Sequence, residues 1–168
     1  MWYVDSIGLV KTPRGITLSG VQHPRNIFTL WSKADLAAIG IKPASITAVD
    51  QRYSKTAEIT WDTSGAEAVG TYGTTDKVAA DLKTTMTTNV QSMAASRLAS
   101  SDWYTIREAE GGTACPADWK TYRAAVRTES NSKVTAIAAL ADLDAIIAFD
   151  AATPITDGWP NDPDYVAP

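Results

Sequence analysis

The spacing of the apolar residues changes near Gly73, and this change constrains the fold more than any other feature of the sequence. Before it, apolar and polar residues alternate in short runs between glycines and prolines, as in strands with one face on a core. After it, apolar residues recur every three to four positions, as on one face of a helix. The sequence therefore predicts an α+β fold, with a β-rich unit over 1–73, an α-helical unit over 74–150 and an extended, proline-rich tail over 151–168.

Four stretches of the first unit are candidate strands. Trp, Tyr, Val and Ile are frequent over 1–10, and Ile and Leu alternate with Thr and Ser over 15–21. The intervening KTPRG has the composition of a turn, so these two stretches are predicted to pair as a hairpin. Two further strands are predicted over 46–53 and 55–63, where β-branched and aromatic residues alternate with polar ones.

A short helix is expected within LWSKADLAAIGI. Ser32 can accept a hydrogen bond as the N-cap residue, Leu36 and Ile39 share a face, and Gly40 can take the left-handed conformation that ends a helix. Pro43 is expected to prevent the helix from resuming.

One long helix is predicted from Thr75 or Asp76 to about Ser100, because this stretch has no Gly or Pro. Its apolar stripe consists of Val78, Leu82, Met86, Val90 and Met93. The stretch is rich in threonine, which has a weak helix propensity, so packing against the rest of the fold must stabilise it. A coiled coil between subunits is the less favoured alternative, because sustained heptads are absent.

A helix pair is predicted in LASSDWYTIREAEGGTACPADWKTYRAAVR, residues 98–127. Asp102 is expected to cap the first helix, Gly111-Gly112 to end it, and Pro116 to open the second. Trp103 and Trp119 are both expected to be buried between the two helices. Asn131 or Ser132 should start a further helix, and Asp142 should cap a last short one.

The candidates for catalysis are few. His23 is the only histidine, so a Ser-His-Asp or Cys-His triad would have to use it, with Asp50 or another acid to orient it. Cys115 could be an activated thiol, but no resolving cysteine or clear base accompanies it. A glycosidase pair could be drawn from the acids Asp5, Asp50, Glu58, Asp62 and Glu67, but nothing in the sequence brings any two together. We therefore expect no enzymatic activity.

The sequence gives equally little support for a cofactor site or a metal site. One histidine and one cysteine cannot form a zinc site of the usual kind. NDPDY, residues 161–165, has oxygen ligands at short spacing but lacks the glycine and distal glutamate of a calcium loop. No nucleotide-binding glycine motif is present. We expect neither a cofactor nor a metal.

Charge and hydropathy exclude two further classes. The net charge is −4 and the basic residues are scattered, which argues against nucleic-acid binding. The sequence has no run of about 20 apolar residues, so no membrane insertion is expected, and the first residues do not resemble a secretory signal peptide. The tail holds the aromatic residues Trp159 and Tyr165, which we predict to bind a partner chain.

Three segments of the chain resemble proteins of tailed bacteriophages. The segment over 98–127 is similar to a helix pair found near the ends of many phage tail-fibre assembly and virion proteins. Two more segments are similar to other parts of such proteins. The first is HPRNIFTLWSKADLAAIGI, and the second is VTAIAALADLDAIIAF together with the ITDGWP that follows it. The positions that match the helix pair are Leu98, Asp102, Trp103, Arg107, Glu110, Pro116, Tyr122, Arg123 and Arg127. The chain lacks the long repeats of a fibre shaft, so it would be an accessory protein.

The resemblance implies a non-enzymatic virion protein associated with the tail fibre or baseplate, made in the host cytoplasm and located in the virion tail. It implies an oligomer, with a trimer as the first expectation, because tail fibres are commonly threefold. Two alternatives remain open. One is a chaperone for tail-fibre assembly, and the other is a carbohydrate-binding receptor-recognition module built on the aromatic N-terminal sheet.

Overall fold

The computed structural model describes residues 1–164 and divides the chain into two compact units, Met1–Thr75 and a second unit that begins at Asp76. The first unit is rich in strands and the second is helical, which confirms the predicted α+β class. The change between units lies two residues after the boundary predicted at 73.

Strands and two short helices make up the first unit. They are β1 (Trp2–Val4), β2 (Gly8–Val10), β3 (Ile16–Leu18), β4 (Val21–His23), α1 (Ile27–Leu30), α2 (Lys33–Ala38), β5 (Ile41–Ile46), β6 (Ser54–Asp62) and β7 (Ala68–Asp76). Five of the strands form one sheet in the order β2-β1-β5-β7-β6, and β3 and β4 form a separate two-stranded sheet. β1 pairs antiparallel with β2 and β5, whereas β5 and β7 run parallel.

The predicted hairpin between residues 1–10 and 15–21 is wrong, because each stretch forms a hairpin of its own. β1 turns directly into β2, with Trp2 opposite Val10. β3 turns into β4 at Ser19 and Gly20, which have φ angles of 49° and 82°. Two consecutive residues with positive φ match the right-handed twist of a tight hairpin. This local turn determines the pairing, and KTPRG only connects the two hairpins.

The strand predicted over 46–53 is also wrong. The strand β5 lies earlier and contains Pro43, opposite Trp2. The ladder between β5 and β7 begins one residue later, at Ala44. Pro43 has no N–H group, but it lies outside the ladder with β7, so no hydrogen bond between β5 and β7 is lost. A proline is therefore tolerated at this position of the sheet.

The structure has a strand, β7, that was not predicted because two glycines lie within it. At Gly70 an added Cβ would stand 2.8 Å from the side chain of Ile59 and 2.9 Å from that of Trp61. Gly70 thus leaves room for these two side chains of the neighbouring strand, and it does not end the strand. The neighbouring strand β6 agrees with the strand predicted over 55–63.

The short helix of the first unit is confirmed as α2. The hydroxyl of Ser32 accepts a hydrogen bond from the backbone N–H of Asp35 at 3.2 Å. Gly40 has a φ of +78° and ends the helical turn. A single helical turn, α1, precedes it and was not predicted. The core of this unit includes the buried side chains of Val4, Phe28, Leu36 and Ile41.

Four helices make up the described part of the second unit. They are α3 (Ala79–Ala99), α4 (Asp102–Ala109), α5 (Ala117–Ala139) and α6 (Leu143–Ala152). α3 confirms the predicted long helix, although it begins three to four residues later than expected. Asp142 caps α6 as predicted, since its carboxylate accepts a hydrogen bond from the N–H of Ala145 at 2.9 Å.

The main helix packing in this unit is between α3 and α5, which run antiparallel. The Lys83 ammonium near the start of α3 donates to the carbonyls of Ala138 and Leu140, at 2.7 and 2.8 Å. Near the other end, the Tyr122 hydroxyl donates to the carbonyl of Arg97 at 3.2 Å. Burial raises the pKa of this tyrosine.

The helix break predicted at Asn131 or Ser132 is wrong, because α5 continues through both residues. No Gly or Pro interrupts the sequence of α5. Polar residues alone do not end a helix when the faces on either side of them pack against another helix.

We expect each unit to fold without the other, because each has its own hydrophobic core. A fragment beginning at Asp76 should give a helical circular dichroism spectrum with a cooperative thermal transition. A fragment of residues 1–75 should give a spectrum dominated by strands. A disordered spectrum from the helical fragment would show that its core is incomplete without the first unit.

Candidate partner-binding surface

Helix α4 presents a large aromatic side chain to solvent. Trp103 is 50% exposed and Ile106 is 57% exposed. The Trp103 ring stacks on the Tyr104 ring with 3.9 Å between centroids. The Arg107 guanidinium lies 4.6 Å from the centroid of Trp103, within the range of a cation–π interaction. Trp103, Ile106 and Arg107 together are called the α4 surface below.

The start of α4 is fixed by a buried arginine from α5. Arg123 is 6% exposed. It donates to the carbonyl of Leu98 at 3.0 Å, to the buried hydroxyl of Ser101 at 2.6 Å and to the carboxylate of Asp102 at 2.8 Å. These contacts connect the end of α3, the intervening turn and the first residue of α4. Asp102 therefore acts as an ion-pair partner, and the prediction that its side chain caps the helix is wrong.

The end of α4 is held by a second set of polar contacts. The carboxylate of Glu108 accepts hydrogen bonds from Lys120 at 2.7 Å and from the N–H of Cys115 at 3.2 Å. The hydrogen bond from Lys120 is the main cause of the lowered pKa of Glu108. Because this pKa is lowered, the stabilisation is present above the ordinary value of 4.5 and is lost as the pH falls through the lowered value.

Arg107 is also fixed in position. Its Nε–H donates to the carbonyl of Thr113 at 3.1 Å, and its side chain packs against Gly112, where an added Cβ would stand 2.9 Å from Arg107 Cγ. Within residues 1–164, its remaining N–H groups and the indole N–H of Trp103 have no hydrogen-bond acceptor. These donors are therefore available to a binding partner.

The prediction that both tryptophans of the helix pair are buried is right for Trp119 and wrong for Trp103. Trp119 is 6% exposed and packs edge-on against Tyr122. The residue of α4 that faces it is Tyr104, with 5.7 Å between ring centroids. Successive helical residues point about 100° apart, so the orientation of Tyr104 toward α5 directs Trp103 outward.

Of the two predicted partner-binding residues of the tail, the structure describes Trp159, and Tyr165 lies outside the described residues. Trp159 is half-buried and packs against the cluster that contains Trp119 and Tyr122. Its indole N–H donates to the carbonyl of Ile155 at 2.8 Å. Its contacts lie within its own unit, and its role in binding a partner stays a prediction.

The expectation of an extended tail is wrong for its first part. Residues 151 and 152 belong to α6, and a turn over 155–158 brings Trp159 back onto the helices. The Arg97 guanidinium lies 5.2 Å from the centroid of the Trp159 indole, and the Lys133 ammonium lies 5.8 Å from it. Two cations and a hydrophobic cluster thus contact Trp159 where the proline-rich segment folds back.

Most of the other candidate residues are dispersed over the chain. Cys115 is buried in the cluster around Trp119. Asp50 pairs with Arg52 in a loop at 2.8 Å. The carboxylate of Asp62 accepts hydrogen bonds from the N–H and hydroxyl of Ser64, which lower its pKa. In NDPDY, the Asp162 carboxylate accepts the N–H of Asp164 at 3.0 Å.

Two of the candidates, Asp5 and His23, line the same cleft in the first unit. The other acids proposed for a glycosidase pair, Glu58 on β6 and Glu67 just before β7, do not line it. Over residues 1–164 no three His, Cys, Asp or Glu side chains form a group that could hold a metal ion. Within the same range, no helix is both long and apolar enough to cross a membrane.

Sequence reasoning did not find the roles of Arg107 and Arg123. A periodicity argument treats arginine as a polar, solvent-facing residue, and Arg123 is buried on the face that also carries Trp119 and Tyr122. The sequence signal that could have indicated the burial of Arg123 is its position in the apolar stripe of α5.

Comparison of the chain with models of known protein families, with curated proteins and with solved structures gave no match.

We predict effects of different size for substitution of the two tryptophans of this region. Trp119→Ala should lower the free energy of unfolding by roughly 3–5 kcal/mol, because it removes a large buried side chain. Trp103→Ala should lower it by less than about 1 kcal/mol, because only a stacking contact and an exposed cation–π interaction are lost. Urea denaturation monitored by circular dichroism measures both values. Similar losses for the two variants would contradict the assigned orientation of α4.

Removing the guanidinium of Arg123 should also be costly. We expect Arg123→Ala to destabilise the protein by roughly 1.5–3 kcal/mol, because buried oxygens lose a charged donor. Asp102→Asn should cost less than about 1 kcal/mol, since this carboxylate is largely exposed. Arg127→Ala, an exposed position one turn further along α5, serves as the control. Equal losses for Arg123→Ala and Arg127→Ala would contradict a role for Arg123 in positioning α4.

Proposed function

We propose that the protein is a non-enzymatic component of a tailed-bacteriophage virion, bound to the tail fibre or baseplate through its α4 surface. The identity of this partner rests on the resemblance of three segments to phage proteins. The observation that supports a binding role is the exposure of Trp103 together with the rigid attachment of the helix that carries it.

The chemistry of the α4 surface fits a protein partner. Trp and Arg are among the residues that contribute most to protein–protein affinity, and Trp103 and Arg107 contact each other here. The indole and Ile106 supply apolar area, while the free N–H groups of Trp103 and Arg107 can donate to backbone carbonyls or carboxylates. A partner that fits has a shallow apolar depression with hydrogen-bond acceptors at its edge.

Preorganisation favours binding through this surface. The stacking of Trp103 on Tyr104 and the hydrogen bond from Arg107 to Thr113 restrict both side chains before any partner arrives. Ordering a flexible side chain at an interface costs roughly 0.5–1.5 kcal/mol. A surface whose side chains are already ordered avoids much of this cost.

Mass spectrometry of purified phage particles tests the proposed location. We expect the protein in the virion tail in a fixed ratio to the tail-fibre subunit, with a trimer or a 3:3 complex as the first stoichiometry to test by light scattering. Absence from purified particles, combined with binding to newly made fibre, would instead identify an assembly chaperone. Absence from both would contradict the proposal.

Substitution of the α4 surface tests how the protein attaches. We expect Trp103→Ala to weaken binding to the fibre or baseplate protein by at least tenfold while lowering the free energy of unfolding by less than about 1 kcal/mol, because central aromatic residues are often worth about 2 kcal/mol or more. Ile147→Ser, a substitution of a partly exposed residue on α6, is the matched control. Binding of Trp103→Ala with the affinity of the unaltered protein would show that another surface attaches the protein.

A further inference from the structure

A cleft in the first unit combines apolar walls with converging polar side chains. Its volume is about 520 Å³, which lies within the range of small-molecule sites, roughly 300–1,000 Å³. The turn between β1 and β2 contributes Asp5 and Ser6, the turn between β3 and β4 contributes Ser19, and β4 contributes His23.

Four polar side chains line the cleft: those of Asp5, Ser6, Ser19 and His23. Within the described residues, none of the hydrogen bonds or ion pairs involves the side chain of Asp5, Ser6, Ser19 or His23. The His23 ring makes an edge-on contact with the Trp31 ring, with 5.8 Å between centroids. Two hydroxyls, a carboxylate and an imidazole thus face one cleft with their hydrogen-bonding capacity available.

The backbone around the cleft is preformed. The N–H of Asp5 donates to the carbonyl of Gly40 at 3.0 Å, which attaches the β1–β2 turn to the end of α2. A Cβ at Gly40 would stand 3.1 Å from the Asp5 carboxylate, so the glycine leaves room for this group. Ser19 occupies a tight turn with positive φ. These features define the backbone from which the polar side chains extend.

The chemistry of the lining selects one class of ligand. A carboxylate such as that of Asp5 only accepts hydrogen bonds, whereas the serine hydroxyls both donate and accept and the imidazole of His23 has two ring nitrogens for hydrogen bonding. A ligand must therefore offer donors and acceptors at close spacing. The lone carboxylate repels anions, and Val21 and Ile39 give the cleft an apolar wall. A neutral sugar has both properties, because its hydroxyls donate and accept while its C–H groups form an apolar face.

We propose that this cleft binds a neutral saccharide. The Asp5 carboxylate accepts hydrogen bonds from sugar hydroxyls, Ser6, Ser19 and His23 complete the polar contacts, and the apolar C–H groups of the sugar lie against Val21 and Ile39. Trp31, which is 41% exposed beside His23, provides an aromatic surface next to the cleft for a second sugar unit. The site lies in the first unit and does not depend on the role proposed for α4 in the second.

A glycan array with the full-length protein is the first test. The array should carry neutral hexose, deoxyhexose and N-acetylhexosamine oligosaccharides beside sialylated and amino-sugar ones. We expect binding to neutral glycans. The best of them, titrated into isotope-labelled protein, should shift the NMR signals of Asp5, His23 and the Trp31 indole N–H. Binding to no neutral glycan, binding only to charged ones, or shifts confined to other residues would overturn the proposal.

Substitutions locate the site independently. Asp5→Asn and His23→Ala should each weaken binding of that glycan by at least tenfold in calorimetric titration. Gln22→Ala, an exposed neighbour on β4, and Glu58→Gln, an exposed acid on β6, should bind with the affinity of the unaltered protein. Full affinity in both Asp5→Asn and His23→Ala would overturn the proposal. Should either variant fail to fold, the NMR shifts of the unaltered protein decide the question.

Discussion

The geometry of the helical unit depends on one guanidinium group. A helix ends with carbonyl groups that lack partners within the helix, and its C-terminus carries a partial negative charge. Arg123 supplies both the donors and the opposite charge at the end of α3 through its contact with Leu98. The same guanidinium also binds Ser101 and Asp102, and these contacts fix the direction of α4 relative to α3. The exposure of Trp103 follows from that direction.

Fixing α4 at both ends gives the unit a rigid outer surface. Arg123 holds its first residue, and the contacts of Glu108 with Lys120 and Cys115 hold its last turn. A helix of eight residues is too short to be stable alone. Its stability therefore comes from these polar contacts and from the packing of Tyr104 on Trp119. The side chains around α4 thus differ in role: the buried Arg123 holds the helix in place, whereas Trp103 on its outer face is half exposed.

The sequence predicted the parts of the fold that depend on local patterns. The long helix α3, the capped helices α2 and α6 and the strand β6 all follow from spacing or from a single cap residue. Two of the errors, those at β5 and β7, arose where tertiary contacts decide the outcome. Gly70 leaves room for the side chains of Ile59 and Trp61 on β6, and Pro43 lies one residue before the ladder between β5 and β7 begins. Neither contact can be deduced from the neighbouring residues in the chain.

The residues of the candidate sites could be predicted only in part, because tertiary contacts decide which of them are exposed and which lie together. The sequence identified Trp119 as a buried residue, but the choice between Trp103 and Tyr104 as the inward residue of α4 depends on the contacts of Arg123. In the cleft of the first unit, Asp5 and His23 are 18 positions apart in the chain. Their common position depends on two hairpins, β1–β2 and β3–β4, neither of which was predicted, because residues 1–10 and 15–21 were expected to pair with each other.

The two tryptophans Trp103 and Trp159 show why α4 is the better candidate for binding a partner. Each indole contacts an arginine, but the Trp159 N–H is already bonded to Ile155 and its ring packs against the hydrophobic cluster. A partner that used Trp159 would first have to detach it from Arg97 and Lys133, with a loss of buried apolar area. Trp103 needs no such rearrangement, because half of its surface and its indole N–H already face solvent. A binding surface on α4 therefore leaves the folded tail in place to stabilise the helices behind it.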